Sequence, residues 1–172
     1  VPGTKRLTPV QTTLLPAPVE LPCARGESGP LCDRTAAQFD QMRELGLLDL
    51  DNRQGKAPGG YQSTLNEARL PFIFMNAVGI DGDLRTLLHE GGHAFHAYAS
   101  AHQPLIDYRH APMEFCEVAS MSMELLGMPY LGEFYEGEAL QRARREYIEH
   151  VIEYFPNYAI IDQFQHWVYT CK

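Results

Sequence analysis

Leu84-Arg85-Thr86-Leu87-Leu88-His89-Glu90-Gly91-Gly92-His93-Ala94-Phe95-His96-Ala97-Tyr98-Ala99-Ser100-Ala101 is the stretch from which the rest of the chain is read. Asp81-Gly82-Asp83 ahead of it offers a turn and an N-cap, and Pro104 closes it, so a helix is expected from about Leu84 to Ala101. His89 and His93 stand at i and i+4 and therefore share one helix face, where both imidazoles can reach a single metal ion. Glu90 points about 100° further round the axis. Its carboxylate can hold a water on the open side of the metal without ligating it. Two histidines on a polar helix face can also be merely solvated. The motif's place in mid-helix, behind a strand pair and ahead of a suitable third ligand, favours the metal.

The third ligand is sought downstream. A metzincin carries Gly and His at the eighth and eleventh motif positions, where this chain has His96 and Ala99, so that class is excluded. His96 shares the face of His89 but lies about 10 Å from it along the axis, too far for both to bind one ion beside His93. It is expected to line the cleft or to pack, and His102 to be exposed. A second helix is read over roughly Met113 to Leu126, with Glu114, Glu117 and Glu124 among apolar neighbours. A carboxylate from a second, antiparallel helix downstream of the motif is the gluzincin arrangement, and Glu117 stands at a suitable distance along the chain from His93. Glu124, two helical turns further on and on the same face with Ser120 between, can accept the free imidazole N–H of a ligand histidine. The other reading of these acids is a solvated helix face.

Outward from this centre, Gly60–Leu65 and Leu70–Ala77 read as strands joined by Asn66-Glu67-Ala68-Arg69, a hairpin spacing. Asp49 to Gly59 is polar and glycine-bearing, hence a loop. Phe39, Met42 and Leu45 mark a short helix stopped by Gly46. Downstream, Leu140, Ala143, Tyr147, Val151 and Tyr154 recur at spacings of three and four over about Glu133 to Tyr154. Pro156 is expected to break that helix, with a helical pattern resuming over Tyr158–Tyr169. Proline is concentrated at the start, with Pro2, Pro9, Pro16, Pro18, Pro22 and Pro30 making up half of the total. Residues 1–34 are therefore expected to be extended and poorly packed, with the folded domain over 35–172. The fold class is mainly α with a small sheet.

Composition narrows the partners. Hydrophobic residues at 45% suffice for a core in a chain of 172. Twenty-two acidic against 14 basic residues leave a net charge of -8, which repels nucleic-acid backbones and anionic membranes. Nearly apolar runs such as Leu70 to Val78 fall far short of the roughly 20 residues that span a bilayer. Cys23, Cys32, Cys116 and Cys171 form no C-x-x-C pair, so free thiols in a reducing cytoplasm are expected, although Cys23 and Cys32 could close a loop if oxidised.

Thr86–His96, followed by Glu117-Val118-Ala119-Ser120 and Glu124, resembles the oligoendopeptidase F and thimet oligopeptidase family of zinc metallopeptidases, its bacterial oligoendopeptidase F branch above all. Gly55-Lys56-Ala57-Pro58-Gly59-Gly60-Tyr61, Pro71-Phe72-Ile73-Phe74-Met75-Asn76 and Phe164-Gln165-His166-Trp167 are similar too, so the resemblance runs from about Thr35 to Thr170. It implies a zincin-like (gluzincin) helical catalytic domain with a small antiparallel hairpin or sheet, cleaving short peptides in a deep channel. One Zn2+ would be bound by His89, His93 and Glu117, with Glu90 as the general base that takes a proton from water. The strand near Gly59–Leu65 would offer main-chain groups to an extended peptide, with Gly59 and Gly60 either allowing close approach or simply turning.

Family members are several times longer. They add a helical N-terminal wall and C-terminal helices whose His and Tyr side chains hydrogen-bond the tetrahedral intermediate. The chain is thus expected to be a fragment with an intact metal site and reduced turnover, since one such donor is worth about 100- to 1,000-fold in rate. Tyr61 and Tyr108 could substitute or could simply pack. The rival expectation is a non-catalytic zinc-binding or interaction module. The presence of Glu90 argues against it, because a structural site needs no base.

Overall fold

The computed structural model describes residues 30–170. Along the chain come α1 (Pro30–Glu44), β1 (Leu48–Asp51), β2 (Gly60–Leu65), β3 (Leu70–Ala77), α2 (Asp81–Ser100), α3 (Val118–Gly127) and α4 (Gly137–Thr170). Short 3-10 turns occupy Ile106–Arg109, Met113–Phe115 and Met128–Glu133. Among the described residues, those up to Tyr130 and those from Leu131 onward belong to two separate compact units.

In the first unit β3 is the middle strand of a sheet ordered β1-β3-β2. Its alternation is the reason: Pro71, Ile73, Met75 and Ala77 are buried, while the residues between them are half-buried. Met42 of α1, Leu47, Ile73, Met75, Ala77 and Ala94 of α2 form the core, with Leu87 and Tyr98 packed against it. The α2 helix therefore lies on the sheet through Leu87, Ala94 and Tyr98, and its His89–His93 face is left for the site.

β2 pairs antiparallel with β3, in register Gln62↔Ile73 and Thr64↔Pro71, so the expected hairpin forms. β1 pairs parallel with β3, where a loop is expected over most of its length. Leu48 and Leu50 do alternate with Asp49 and Asp51, but so short a segment does not read as a strand without its partner. The loop that follows is braced by Lys56, whose ammonium donates to the Asp49 and Asp51 carbonyls and lies 4.6 Å from the centre of the Phe74 ring. Arg53, and then Lys56, hold the Asp49 carboxyl down to about 2.

Other boundaries differ for identifiable reasons. Pro30 suits the first turn of a helix, where a missing N–H costs nothing. α1 begins there, so residues 30–34 are helical rather than extended. The rest of the proline-rich stretch, 1–29, lies outside the described residues. α2 starts at Asp81 because Asp83, in its first turn, reaches back: its Oδ2 accepts the N–H groups of Val78, Gly79 and Ile80 at 2.9, 2.6 and 3.0 Å. The expected helix over Met113–Leu126 is divided, with a 3-10 turn to Phe115 and α3 from Val118.

In the second unit α4 runs without interruption through Pro156, where a break was expected. Proline removes one intrahelical N–H and crowds the carbonyl four residues before it, which can bend a helix without ending it. His150 and Tyr154 are joined at 2.8 Å, and the Tyr154 and Tyr158 rings stack. Ile152, Phe155, Ile160, Trp167 and Tyr169 are exposed along α4. No helix among the described residues is long and apolar enough to cross a membrane.

Candidate metal centre

Two helices converge on the motif. α2 supplies His89 and His93, with ring centroids 4.9 Å apart. Glu117, at φ -94° and ψ 0°, is the residue on which the 3-10 turn gives way to α3. Its Oε2 lies 3.1 Å from His89 Nε2 and 3.4 Å from His93 Nε2. One ligand atom from each of the three residues falls within 4.8 Å of the others. Two imidazole nitrogens and one carboxylate oxygen at such spacing form a donor set that fits a borderline divalent ion and leaves a position open. The surroundings fit a cation as well, since Glu90, Glu117 and Glu124 all stand around the two imidazoles.

The set is held from behind. Glu124 is buried, and its Oε1 lies 2.7 Å from His89 Nδ1, a partner that favours a proton on Nδ1 and would leave Nε2 for an ion. The hydrogen bond to Glu124 raises the His89 pKa against the effect of burial. His93 has no such carboxylate behind it among the described residues, and burial lowers its pKa. Ser120 is fully buried and donates to Glu117 Oε2 at 2.7 Å.

Gly92 is what lets the helices meet: a Cβ there would stand 2.6 Å from both Ala119 O and Ser120 Cα. Gly60 does the same for β2, where a Cβ would come within 2.7 Å of Thr86 Cγ2 on α2. Gly59 serves a different end, a turn at φ +96° that disfavours any side chain.

Glu90 is 7% exposed, directly beside the cluster. Burial raises its pKa, opposed by the positive charge of His89 and by the Gln62 main-chain N–H. The strand register explains why that N–H is not used by β3. Pro71 has no N–H, so Thr64↔Pro71 cannot exchange two hydrogen bonds. Gly60, Gln62 and Thr64 therefore turn their main-chain groups away from β3, towards the free edge of the sheet.

The structure brings together His89, His93 and Glu117 with Glu90 beside them. His96 is half-buried and outside the three-residue cluster. Glu114 and His102 are exposed. Tyr61 stacks on Phe74 at 5.0 Å, and Tyr108 is exposed. Cys116 is a free thiol, whereas the side chains of Cys23, Cys32 and Cys171 lie outside those described. Sequence reading missed the Ser120 hydroxyl, the Gln62 amide and the steric role of Gly92. Only the last had a signal, a glycine in mid-helix.

Known proteins are similar to this chain in sequence and fold. Oligopeptidase PepF of Bacillus subtilis (strain 168) is 31% identical over 147 residues, which cover 82% of this chain and 21% of that protein. The solved structure of PZ peptidase A with an inhibitor superposes with a TM-score of 0.71 at 35% identity, over 81% of this chain and 24% of its own. A structure from Bacillus anthracis str. Ames, assigned to oligoendopeptidase F, gives 0.66 at 35% identity, over 81% and 25%. The chain thus spans about a fifth to a quarter of the length of these relatives. With residues 33–172 also matching the sequence pattern of peptidase family M3, the chain belongs to that family.

Proposed function

We propose that this chain is the zinc-binding core of an M3-type endopeptidase acting on short peptides. The observation that carries the reading is the clustering of His89, His93 and Glu117 with the buried carboxylate of Glu90 at its side. His89, His93 and Glu117 would hold the ion, which supplies Lewis acidity and lowers the pKa of water from 15.7 towards about 7. The chain's own residues do the rest. Glu90, its pKa raised by burial, is suited to accept a proton from the attacking water and return it to the leaving amine. The free edge of β2 would offer Gly60 and Thr64 main-chain groups to an extended substrate. The scattered cysteines fit a reducing cytoplasm.

The test is zinc content and peptide hydrolysis of the chain beside Glu90→Gln. The reading predicts about one zinc per chain in both, with turnover in the parent and a loss of roughly 100- to 10,000-fold in the variant. Absence of stoichiometric zinc under non-chelating conditions would overturn it. Equal zinc with no turnover in either protein would favour a binding module.

A further inference from the structure

We infer that Ser120 is a positioning residue for the third metal ligand, its hydroxyl holding the Glu117 carboxylate in the orientation that faces His89 and His93; this rests on the metal-centre reading above. Glu117 is the weak point of the cluster. Its side chain is 51% exposed, it stands ahead of the first full turn of α3, and glutamate has more rotatable bonds than either histidine. The α2 groups that approach its carboxylate are His89 and His93, and an ion would engage their Nε2 atoms, so they would not fix its rotamer in the metal-bound site.

Ser120 does. Its Oγ lies 2.7 Å from Glu117 Oε2, the same oxygen that approaches both imidazoles. The hydroxyl is also 3.0 Å from the Glu117 carbonyl, but that carbonyl already accepts the Met121 N–H at 3.0 Å. With one hydrogen to give, the hydroxyl favours the shorter, charge-assisted bond to the carboxylate. Water cannot compete for it, because Ser120 is fully buried and Gly92 packs directly on its Cα. A carboxylate oxygen has two lone pairs. Ser120 occupies one on Oε2 and leaves the other for an ion.

Zinc affinity by chelator competition, the visible spectrum of the Co2+-loaded chain, and circular dichroism of the metal-free chain test this on the parent, Ser120→Ala, Ser120→Thr and the exposed neighbour Ser122→Ala. The inference predicts about 10- to 100-fold weaker zinc binding and an altered cobalt spectrum in Ser120→Ala. Ser120→Thr, which keeps the hydroxyl, and Ser122→Ala should stay within a few-fold of the parent. Should Ser120→Ala not fold, Ser120→Val set against Ser120→Thr isolates the hydroxyl at equal shape, and the same loss is required in the valine chain. A folded Ser120→Ala or Ser120→Val that binds zinc like its partner, with an unchanged cobalt spectrum, overturns the role of Ser120 while leaving the metal centre standing. So does a folded Ser120→Thr that loses as much as Ser120→Ala. A parent chain that binds no zinc overturns the metal centre itself, and this inference with it.

Discussion

The two helices that meet at the cluster hold their ligands by different means. On α2 the helix itself does the work: His89 and His93 are one turn apart, half-buried, and their separation is set by backbone hydrogen bonds. On α3 the ligand precedes the helix, half-exposed, and its position depends on Ser120 and on how closely Gly92 lets α3 approach. Secondary structure thus fixes one half of the site and tertiary contact fixes the other. Damage to packing should act first on Glu117, and damage to hydrogen bonding should act on each half separately.

Gly91 and Gly92 offer the sharpest contrast. A Cβ at Gly92 would meet Ala119 O and Ser120 Cα at 2.6 Å, whereas at Gly91 the nearest atom is Phe95 Cε2 at 3.9 Å. Gly92→Ala is expected to destabilise the chain by about 1–3 kcal/mol and to weaken zinc binding by more than 100-fold as α3 and Glu117 are pushed away. Gly91→Ala should instead stabilise by up to about 1 kcal/mol through helix propensity, with zinc affinity unchanged. Thermal unfolding and zinc competition read both. Equal behaviour of the two variants would remove the steric basis of the contrast.

On the α2 side, Glu124→Gln leaves the shape of the site intact but removes the charge that orients His89. Zinc affinity is expected to fall about 10- to 100-fold. His93, which has no such carboxylate behind it among the described residues, should respond only through the changed charge of its neighbour His89 when followed by imidazole NMR in the metal-free chain.

The smallest effect is a pH dependence. Glu124 raises the His89 pKa in the folded, metal-free chain. A raised folded value means that this contribution to stability is fully present below the unfolded value near 6.5 and is lost as pH rises through the folded value. Urea unfolding of the metal-free protein should therefore show this stabilisation at pH 5.5 and its loss as pH rises through the raised folded value, with a flatter profile in Glu124→Gln. A parent profile no steeper than that of Glu124→Gln would contradict the pairing.

The same division explains what could be read from the sequence. His89, Glu90 and His93 were legible because helical periodicity alone places them together, and β2 and β3 because their alternation and hairpin spacing are local. β1 was not, since Leu48 and Leu50 become a strand only by pairing with β3, which is distant along the chain. Glu117 stands out among three acids by its spacing from the motif, yet nothing in the sequence marks the break in the helix at that residue. The Ser120 contact carries no sequence signature, because serine three residues after glutamate is an ordinary helical spacing. Pro156 misleads too: local chemistry disfavours it inside a helix, yet α4 continues on both sides of it.

The central claim is that the α2 and α3 halves together make one metal site. Zinc bound per chain, measured after equilibration in non-chelating buffer for the parent and for Glu117→Ala, tests it most directly. The account predicts about one tightly held zinc in the parent and its loss in the variant, with the helical circular dichroism of the metal-free forms alike. A parent without zinc, or a Glu117→Ala chain that keeps it at parental affinity, would contradict the account.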